Sequence, residues 1–270
     1  MRTFKFYYIN LEKSKTRREF MESQFKELNI PLTRMPAVYG KELPQQFLRK
    51  AKKNHNLLTH YPNLNDGEIG LTKTYFDLWK IIANQKEDFA IVLEDDALLE
   101  KEFIADLPKI LDEIDIKDYI DISGRKGFSL IKQKSLTSLY TIPPLQTTGQ
   151  IFGKEAAKQL AKNLTTYYSP IDVLKQDVFK HKTPVFVTNK KYVKSNDKAL
   201  GGTTLQQKSL PGLYKILREL VRPFWQILTL CTYKLNRFIK NYFFSSTIHV
   251  EAISILRRTL YNSSVLCFIW

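Results

Sequence analysis

The hydrophobic and polar positions over the first 200 residues alternate between short apolar runs and longer amphipathic segments. The apolar runs predict strands, which cover residues 4–9, 33–38, 89–93, 118–123 and 184–187. Apolar residues at helical spacing predict helices, which cover residues 14–28, 71–84, 103–114, 155–163 and 171–180. The uninterrupted run Phe89–Leu93 is typical of a parallel strand buried on both faces. This alternation predicts an α/β fold in which helices cover both faces of a sheet.

The last 60 residues follow a different pattern. Glycine and proline at Gly201-Gly202 and Pro211-Gly212 are loop and breaker signals. We therefore expect a first domain over residues 1–205 and a helical tail over residues 211–270. The tail holds eight basic and two acidic residues, a net charge of +6.

Within that tail, residues 213–228 and 234–243 carry Leu, Ile and Phe on one helical face and Lys and Arg on the other. Such a pattern is typical of helices that lie in a membrane interface, attracted by anionic lipids. The alternative is that the apolar face packs on the first domain. We expect docking on an anionic membrane surface.

Composition narrows the class of protein further. With 43% hydrophobic residues in 270, the chain can bury a core, which excludes global disorder. Its two cysteines exclude a disulfide scaffold and a CxxC zinc site. We see neither a secretory signal nor an apolar run long enough to span a bilayer, and we expect a cytoplasmic protein peripheral to the inner membrane. The net charge of +15 leaves a basic nucleic-acid-binding protein as an alternative, but we find no recognised module and therefore do not expect nucleic acid as a partner.

Three adjacent carboxylates, Glu94, Asp95 and Asp96, follow directly on the buried strand Phe89–Leu93. Ligands of open α/β sheets bind at the carboxyl ends of the strands. Adjacent buried charges repel one another, and a hard cation such as Mn²⁺ or Mg²⁺ would compensate them while binding phosphate oxygens. The alternative is that these acids begin a helix, where they complement its dipole.

Six short motifs follow one another along residues 3–195: Tyr8–Arg18, Pro36–Gly40, Gly67–Gly70, Val92–Ala97, Thr148–Phe152 and Pro170–Asp172. Their order resembles glycosyltransferase family 25, which contains bacterial lipooligosaccharide galactosyltransferases and a related domain of collagen galactosyltransferases. The resemblance implies a GT-A-type fold, a nucleotide-sugar donor and inverting transfer of a hexose. The specific expectation from it is transfer of galactose from UDP-galactose to a sugar of a glycolipid acceptor, a lipooligosaccharide or lipopolysaccharide.

The resemblance also implies site residues. Asp96 and Glu94 match the ends of the family's metal-binding acidic motif and would bind Mn²⁺ or Mg²⁺. Asp172 matches the family's late Asp and is the candidate base that deprotonates the acceptor hydroxyl. Asp177 is the second catalytic candidate and Asp121 a weaker third. Expected donor-binding residues are Asn10, Arg17, Ala37, Val38, Gly40, Glu68, Glu94 and Asp95.

Each of these roles has a structural alternative. Glu68 would serve equally well as a cap of the helix that follows it. Asp172 would serve as a helix-start residue behind Pro170. Asp121 could be an edge-strand residue.

The helix after Gly67–Gly70 departs from the family pattern. The family usually has a Cys and then a Ser-His pair where this chain has Leu71, Thr74 and Tyr75. Thr74 retains a hydroxyl, but Tyr75 does not titrate near neutral pH as His does. This replacement keeps open the alternative of a non-catalytic, membrane-peripheral protein with a degenerate transferase domain.

Overall fold

The computed structural model describes residues 2–53 and 64–202, together with Leu220, Ile227 and Cys231 in the tail. The strands are β1 Phe4–Asn10, β2 Leu32–Pro36, β3 Phe89–Glu94, β4 Ala97–Leu99, β5 Tyr119–Asp121, β6 Phe128–Gln133, β7 Thr137–Ile142, β8 Gly149–Gly153, β9 Val185–Thr188 and β10 Val193–Ser195. The helices are α1 Lys15–Leu28, α2 Gln45–Lys53, α3 Asp66–Asn84, α4 Glu102–Glu113, α5 Lys154–Asn163, α6 Ile171–Leu174 and α7 Val178–His181, with a short 3₁₀ helix at Gly40–Glu42.

Eight strands form one mixed sheet in the order β2-β1-β3-β8-β5-β9-β7-β6. Strands β1, β2 and β3 run parallel, so their carboxyl ends share one edge of the sheet. Strand β8 runs antiparallel between β3 and β5, which makes the centre of the sheet mixed. The two short strands β4 and β10 pair antiparallel beside this edge.

Helices cover both faces of the sheet, as the alternation of apolar segments predicts. Alternate residues of β1 and β3 point to opposite faces because side chains in a strand alternate. On one face Phe6 and Ile91 pack with residues of α1 and α4, and on the other Tyr7 and Val92 pack with residues of α3 and α5. The predicted α/β class is therefore confirmed.

Helix α3 begins five residues before the predicted start at Leu71. The Asn65 side chain accepts a hydrogen bond from the Glu68 backbone N–H, and the Glu68 carboxylate accepts one from the Asn65 N–H, both at 2.8 Å. This reciprocal capping box satisfies two backbone donors that a helix start otherwise leaves unpaired. It fixes the helix start despite the glycines of the first turns.

The single helix predicted over residues 171–180 is wrong, because the segment forms two short helices, α6 and α7. Between them Lys175 turns into the interior, and Gln176 Nε2 donates to the Pro143 carbonyl at 2.7 Å. Tertiary contacts thus outweigh local helix propensity here. Elements that the hydrophobic pattern did not predict are α2, β4, β6, β7, β8 and β10.

The predicted domain boundary at residues 205–211 lies outside the described residues, as does nearly all of the tail, so both stay predictions. Among the residues that the structure describes, no helix is long and apolar enough to cross a membrane.

Candidate functional site

A cavity of about 430 Å³ opens at the carboxyl ends of β1, β2 and β3. Its lining holds six carboxylates and one guanidinium, so it is strongly acidic although the chain is basic. Of the site residues predicted from the sequence, those that line the cavity are Arg17, Ala37, Val38, Gly40, Glu68, Glu94, Asp95, Asp96 and Asp172.

The three acids at the end of β3 have different partners. Thr147 Oγ1 donates to Glu94 Oε1 at 2.6 Å, and Ser195 Oγ donates to Asp96 Oδ2 at 2.6 Å. Asp95 instead forms a buried salt bridge with Arg17, with 2.7 Å between Arg17 Nη1 and Asp95 Oδ1. Only Asp95 of the three therefore has a salt-bridge partner among the described residues.

Asn10 and Arg17 hold Asp95. Asn10 Nδ2 donates to Asp95 Oδ2 at 2.8 Å, so both carboxylate oxygens of Asp95 are engaged by protein groups. Asn10 is buried and is not part of the cavity lining, and its role in donor binding stays a prediction. The second guanidinium nitrogen of Arg17 donates to the Gly202 carbonyl at 2.6 Å. Arg17 thus joins the end of β3 to a segment far along the chain.

Burial raises the pKa of Glu94 to about 7, and the neighbouring carboxylates of Asp96, Asp95 and Asp172 add to this effect against the Thr147 hydrogen bond. Burial also raises the pKa of Asp96, although the Ser195 hydrogen bond and the Arg17 charge oppose it. Both carboxylates are therefore held where their ionised form is poorly solvated.

These acids fit a hard divalent cation whose coordination shell is completed by oxygens of a bound ligand. Within residues 2–53 and 64–202, no three His, Cys, Asp or Glu side chains form a group that could hold a metal by themselves. Mg²⁺ and Mn²⁺ commonly take one or two carboxylates together with substrate phosphate oxygens. Glu94 and Asp96 supply two carboxylates on the cavity wall, and a cation beside them would relieve their mutual repulsion.

The wall formed by residues 37–40 lies tightly against helix α3. A Cβ on Gly40 would lie 1.6 Å from the Asp66 carbonyl oxygen, and one on Gly70 would lie 2.5 Å from the Val38 carbonyl oxygen. The Val38 N–H donates to Thr74 Oγ1 at 2.9 Å. The hydroxyl at position 74 therefore positions the cavity wall.

The three catalytic candidates lie in different surroundings. Asp172, in the first turn of α6, lines the cavity, and burial raises the pKa of its carboxyl while Lys175 lowers it. Asp177 is buried away from the lining, where Tyr168 OH donates to its Oδ2 at 2.8 Å. Asp121 does not line the cavity either. It ends an interior strand, not an edge strand, and forms a buried salt bridge with Lys175 at 2.6 Å.

Tyr75, which replaces the family His, is fully buried on α3. Its hydroxyl donates to the Thr147 carbonyl at 3.4 Å and accepts from Gln150 Nε2 at 3.3 Å. Burial raises the pKa of the Tyr75 phenol well above its ordinary value, so it stays neutral. Since Thr147 holds Glu94, Tyr75 supports the acidic wall from behind.

Six lining residues with polar side chains were not among the predicted site residues: Tyr39, Gln146, Thr147, Thr148, Ser195 and Asp197. Tyr39 and Thr148 lie within motifs of the resemblance, and Gln146 and Thr147 directly precede one, so the sequence gave a signal for their neighbourhood. Ser195 and Asp197 carry no local signal, because only the pairing of β10 with β4 brings them to the cavity.

The family model "Glycosyltransferase family 25 (LPS biosynthesis protein)" matches residues 3–175. The chain belongs to glycosyltransferase family 25. The match ends before β10, so Ser195 and Asp197 lie beyond it.

Relatives include a "Glycosyltransferase 25 family member" of Drosophila melanogaster, 30% identical over 111 residues. "Procollagen galactosyltransferase 2" of Homo sapiens is 31% identical over 115 residues. Each of these matches covers 40% of this chain and 18% of the relative. The chain thus matches less than a fifth of the length of these relatives.

Among solved structures, residues 1–349 of TarS from S. aureus are similar with a TM-score of 0.41 and 15% identity, over 93% of this chain and 76% of that one. The apo-form glycosyltransferase GlyE of Streptococcus pneumoniae TIGR4 follows with a TM-score of 0.31 and 12% identity, over 87% of this chain and 64% of that one.

Proposed function

We propose that the protein is a cation-assisted, inverting hexosyltransferase that transfers galactose from UDP-galactose to a lipooligosaccharide or lipopolysaccharide acceptor sugar. The observation that carries the proposal is the cavity in which Glu94 and Asp96 share one wall with Asp172 near them. Family membership supports the reaction class, and the names of the galactosyltransferase relatives support the sugar. The family model's description, an LPS biosynthesis protein, supports the acceptor.

The donor diphosphate would lie against the end of β3. Glu94 and Asp96 would hold Mn²⁺ or Mg²⁺, which when bound supplies positive charge to the departing UDP. A cavity with six carboxylates and one guanidinium would otherwise repel a diphosphate. Ala37, Val38 and Gly40 form a wall with little side-chain bulk near the backbone, which allows a nucleoside to approach closely.

Asp172 would act as the base. Inverting transfer requires a carboxylate to take the proton of the attacking hydroxyl as the donor bond breaks. Burial raises the pKa of Asp172, which strengthens it as a proton acceptor, while the nearby Lys175 ammonium favours its ionised form. Glu68 is held by the Asn65 backbone and lines the same cavity, so it would orient sugar hydroxyls.

The test of this function is hydrolysis and transfer with a panel of UDP-sugars and Mn²⁺, for the wild type and Asp96→Asn. We expect UDP-galactose to be the preferred donor and Asp96→Asn to lose about 100-fold or more in kcat, as for loss of one group that stabilises developing charge. Full activity of Asp96→Asn would contradict the role of the acidic wall. No activity of the wild type with any donor would favour the degenerate, non-catalytic alternative.

The tail would bring the enzyme to a membrane-borne acceptor at the cytoplasmic side of the inner membrane. Leu220 and Ile227 lie on the predicted apolar face, and they are 70% and 57% exposed. Exposed apolar side chains in a basic segment are what an anionic membrane interface binds.

Flotation of the full chain with anionic liposomes tests this docking. Leu220→Asp with Ile227→Asp should weaken binding at least tenfold. Leu130→Asp, which replaces an exposed leucine on β6, is the matched control and should bind like the wild type. Equal binding by all three proteins would contradict membrane docking through the tail.

A further inference from the structure

The last residue of β10 and the segment after it lie against the acidic end of β3. This stretch, Ser195–Gly202, is here called the covering turn, and its first residue, Ser195, pairs with Ala97 of β4. The Asn196 N–H donates to the Asp96 carbonyl at 2.8 Å, so the turn is attached to the backbone of an acidic residue of the cavity. The covering turn also supplies Ser195 and Asp197 to the cavity lining.

Hydrogen bonds give this turn a defined shape. The Asp197 carbonyl accepts from the N–H groups of Leu200 and Gly202, at 3.1 and 2.8 Å. Gly201 and Gly202 have φ angles of +88° and +84°, which favour glycine. The Gly202 carbonyl then accepts from Arg17, whose other nitrogen holds Asp95. The turn is therefore fastened at one end to Asp96 and at the other end to Arg17, which itself holds Asp95.

Ser195 links the covering turn to Asp96, which the proposed function assigns to cation binding. Its hydroxyl donates to Asp96 Oδ2 at 2.6 Å and accepts from the Asp197 N–H at 3.3 Å. One hydroxyl thus links the covering turn to the carboxylate that the proposed function assigns to the cation. Because Ser195 is exposed, its side chain adds little to the core, and a hydroxyl that only stabilises the fold would contribute little there.

We propose that Ser195 is a positioning residue for cation binding: its hydroxyl fixes the orientation of the Asp96 carboxylate, and the covering turn is the part of the chain that delivers it. This inference rests on the proposed function. Groups that hydrogen-bond a metal-binding carboxylate fix its orientation, and their loss typically costs 10- to 100-fold in metal affinity or activity. The covering turn lies beyond residues 3–175, so the family match does not include this residue.

Mn²⁺ binding to the full chain tests the inference without catalysis. Free Mn²⁺ is measured by its EPR signal during titration in the presence of UDP, for the wild type, Ser195→Ala, Ser195→Thr and Asp96→Asn. We expect Ser195→Ala to raise the Mn²⁺ Kd at least tenfold and Ser195→Thr, which keeps the hydroxyl, to stay within threefold. Ser23→Ala is the matched control, because Ser23 is an exposed serine that donates to the Phe20 carbonyl, and neither residue is part of the cavity lining.

The outcomes separate the inference from the function beneath it. If Asp96→Asn loses Mn²⁺ binding while Ser195→Ala retains it, the positioning role is overturned and the proposed function stands. Equal losses in Ser195→Ala and Ser195→Thr would also overturn it, because the hydroxyl would not be what Asp96 needs. A melting temperature that falls by more than a few degrees in Ser195→Ala but not in Ser23→Ala would assign Ser195 a structural role instead. If neither the wild type nor Asp96→Asn binds Mn²⁺, the proposed cation site fails and the inference fails with it.

Discussion

Two sets of buried or half-buried carboxylates lie at the same edge of the sheet and differ in their partners. Asp95 and Asp121, here called the paired acids, form salt bridges with Arg17 and Lys175 at 2.7 and 2.6 Å. Glu94, Asp96 and Asp172, here called the cavity acids, take part in no salt bridge within residues 2–53 and 64–202, and burial raises the pKa of each.

The difference separates structure from function. A buried carboxylate with a cation beside it satisfies the fold and has no charge left for a ligand. A cavity carboxylate without one costs the folded state free energy, and such groups collect where a ligand later supplies the missing interaction. The paired acids therefore hold the wall that presents the cavity acids.

The largest effect is expected for a cavity acid. Asp172→Asn should lower kcat for transfer by 10²- to 10⁴-fold, the range for loss of a general base. Its unfolding free energy should stay the same or rise, because burial disfavours the charge that the amide lacks. Steady-state kinetics and urea unfolding check the two parts of this prediction.

Asp177→Asn is the control for that variant. Asp177 is as buried as a cavity acid, but it accepts a hydrogen bond from Tyr168 and lies outside the cavity lining. Its amide variant should keep kcat within about threefold, since removing a group that touches no reacting atom leaves the barrier unchanged. A loss in Asp177→Asn as large as in Asp172→Asn would contradict the assignment of the base to Asp172 alone, and a loss in Asp177→Asn only would assign the base to Asp177.

Removing the cation from a paired acid should lower the free energy of unfolding. Lys175→Met leaves Asp121 buried without its cation, and breaking such a pair on one side typically costs about 3 to 5 kcal/mol. The double variant Lys175→Met with Asp121→Asn should recover most of that loss, because the stranded charge is gone while the Ser123 N–H keeps an acceptor. Urea unfolding of both variants measures the loss and its recovery. A single variant as stable as the wild type would place Asp121 with the cavity acids.

Features that depend on neighbouring residues could be predicted from the sequence, whereas those that depend on contacts between distant residues could not. Strand β3 and the acids after it are local features, since a continuous apolar run followed by charge is visible in any window of the sequence. The apolar spacing placed the start of α3 at Leu71, five residues too late, although Asn65 and Glu68 have capping-box spacing. Both features depend only on neighbouring residues.

The split between paired acids and cavity acids required contacts distant in sequence. Asp121 and Lys175 are 54 residues apart, and Arg17 and Asp95 are 78 apart. This long-range contact also explains why the prediction of a single helix over residues 171–180 is wrong, because the helix is interrupted where Lys175 turns inward to Asp121. Ser195 and Asp96 are 99 residues apart, and no periodicity links them. A sequence shows which carboxylates exist, but partners of this kind appear only in the fold.

The smallest effect on stability is expected for His181, whose side chain is hydrogen-bonded to the backbone carbonyl of Lys175. His181 Nδ1 accepts from the Thr183 N–H at 3.2 Å, so Nε2 carries the proton and donates to the Lys175 carbonyl at 3.1 Å. Burial lowers the pKa of His181 to about 4, well below its ordinary value of 6.5. Between these two values the unfolded chain binds a proton that the folded chain does not, so stability falls as the pH falls from 6.5 towards 4. This group alone should remove roughly 2 kcal/mol between pH 7 and pH 4.5.

The wild type by itself does not isolate that slope, because burial raises the pKa of Asp177 to about 6 and thereby favours the folded state as the pH falls. The measurement is therefore the difference in unfolding free energy between the wild type and His181→Gln at pH 7 and pH 4.5. The difference should shrink by roughly 2 kcal/mol at the lower pH, because the variant lacks the imidazole that must stay neutral in the folded state. A constant difference would mean that His181 is protonated in the folded state, with a partner for its second proton. In that case the segment carrying Lys175 would hold an additional cation, and the distinction between paired acids and cavity acids would have to be redrawn around it.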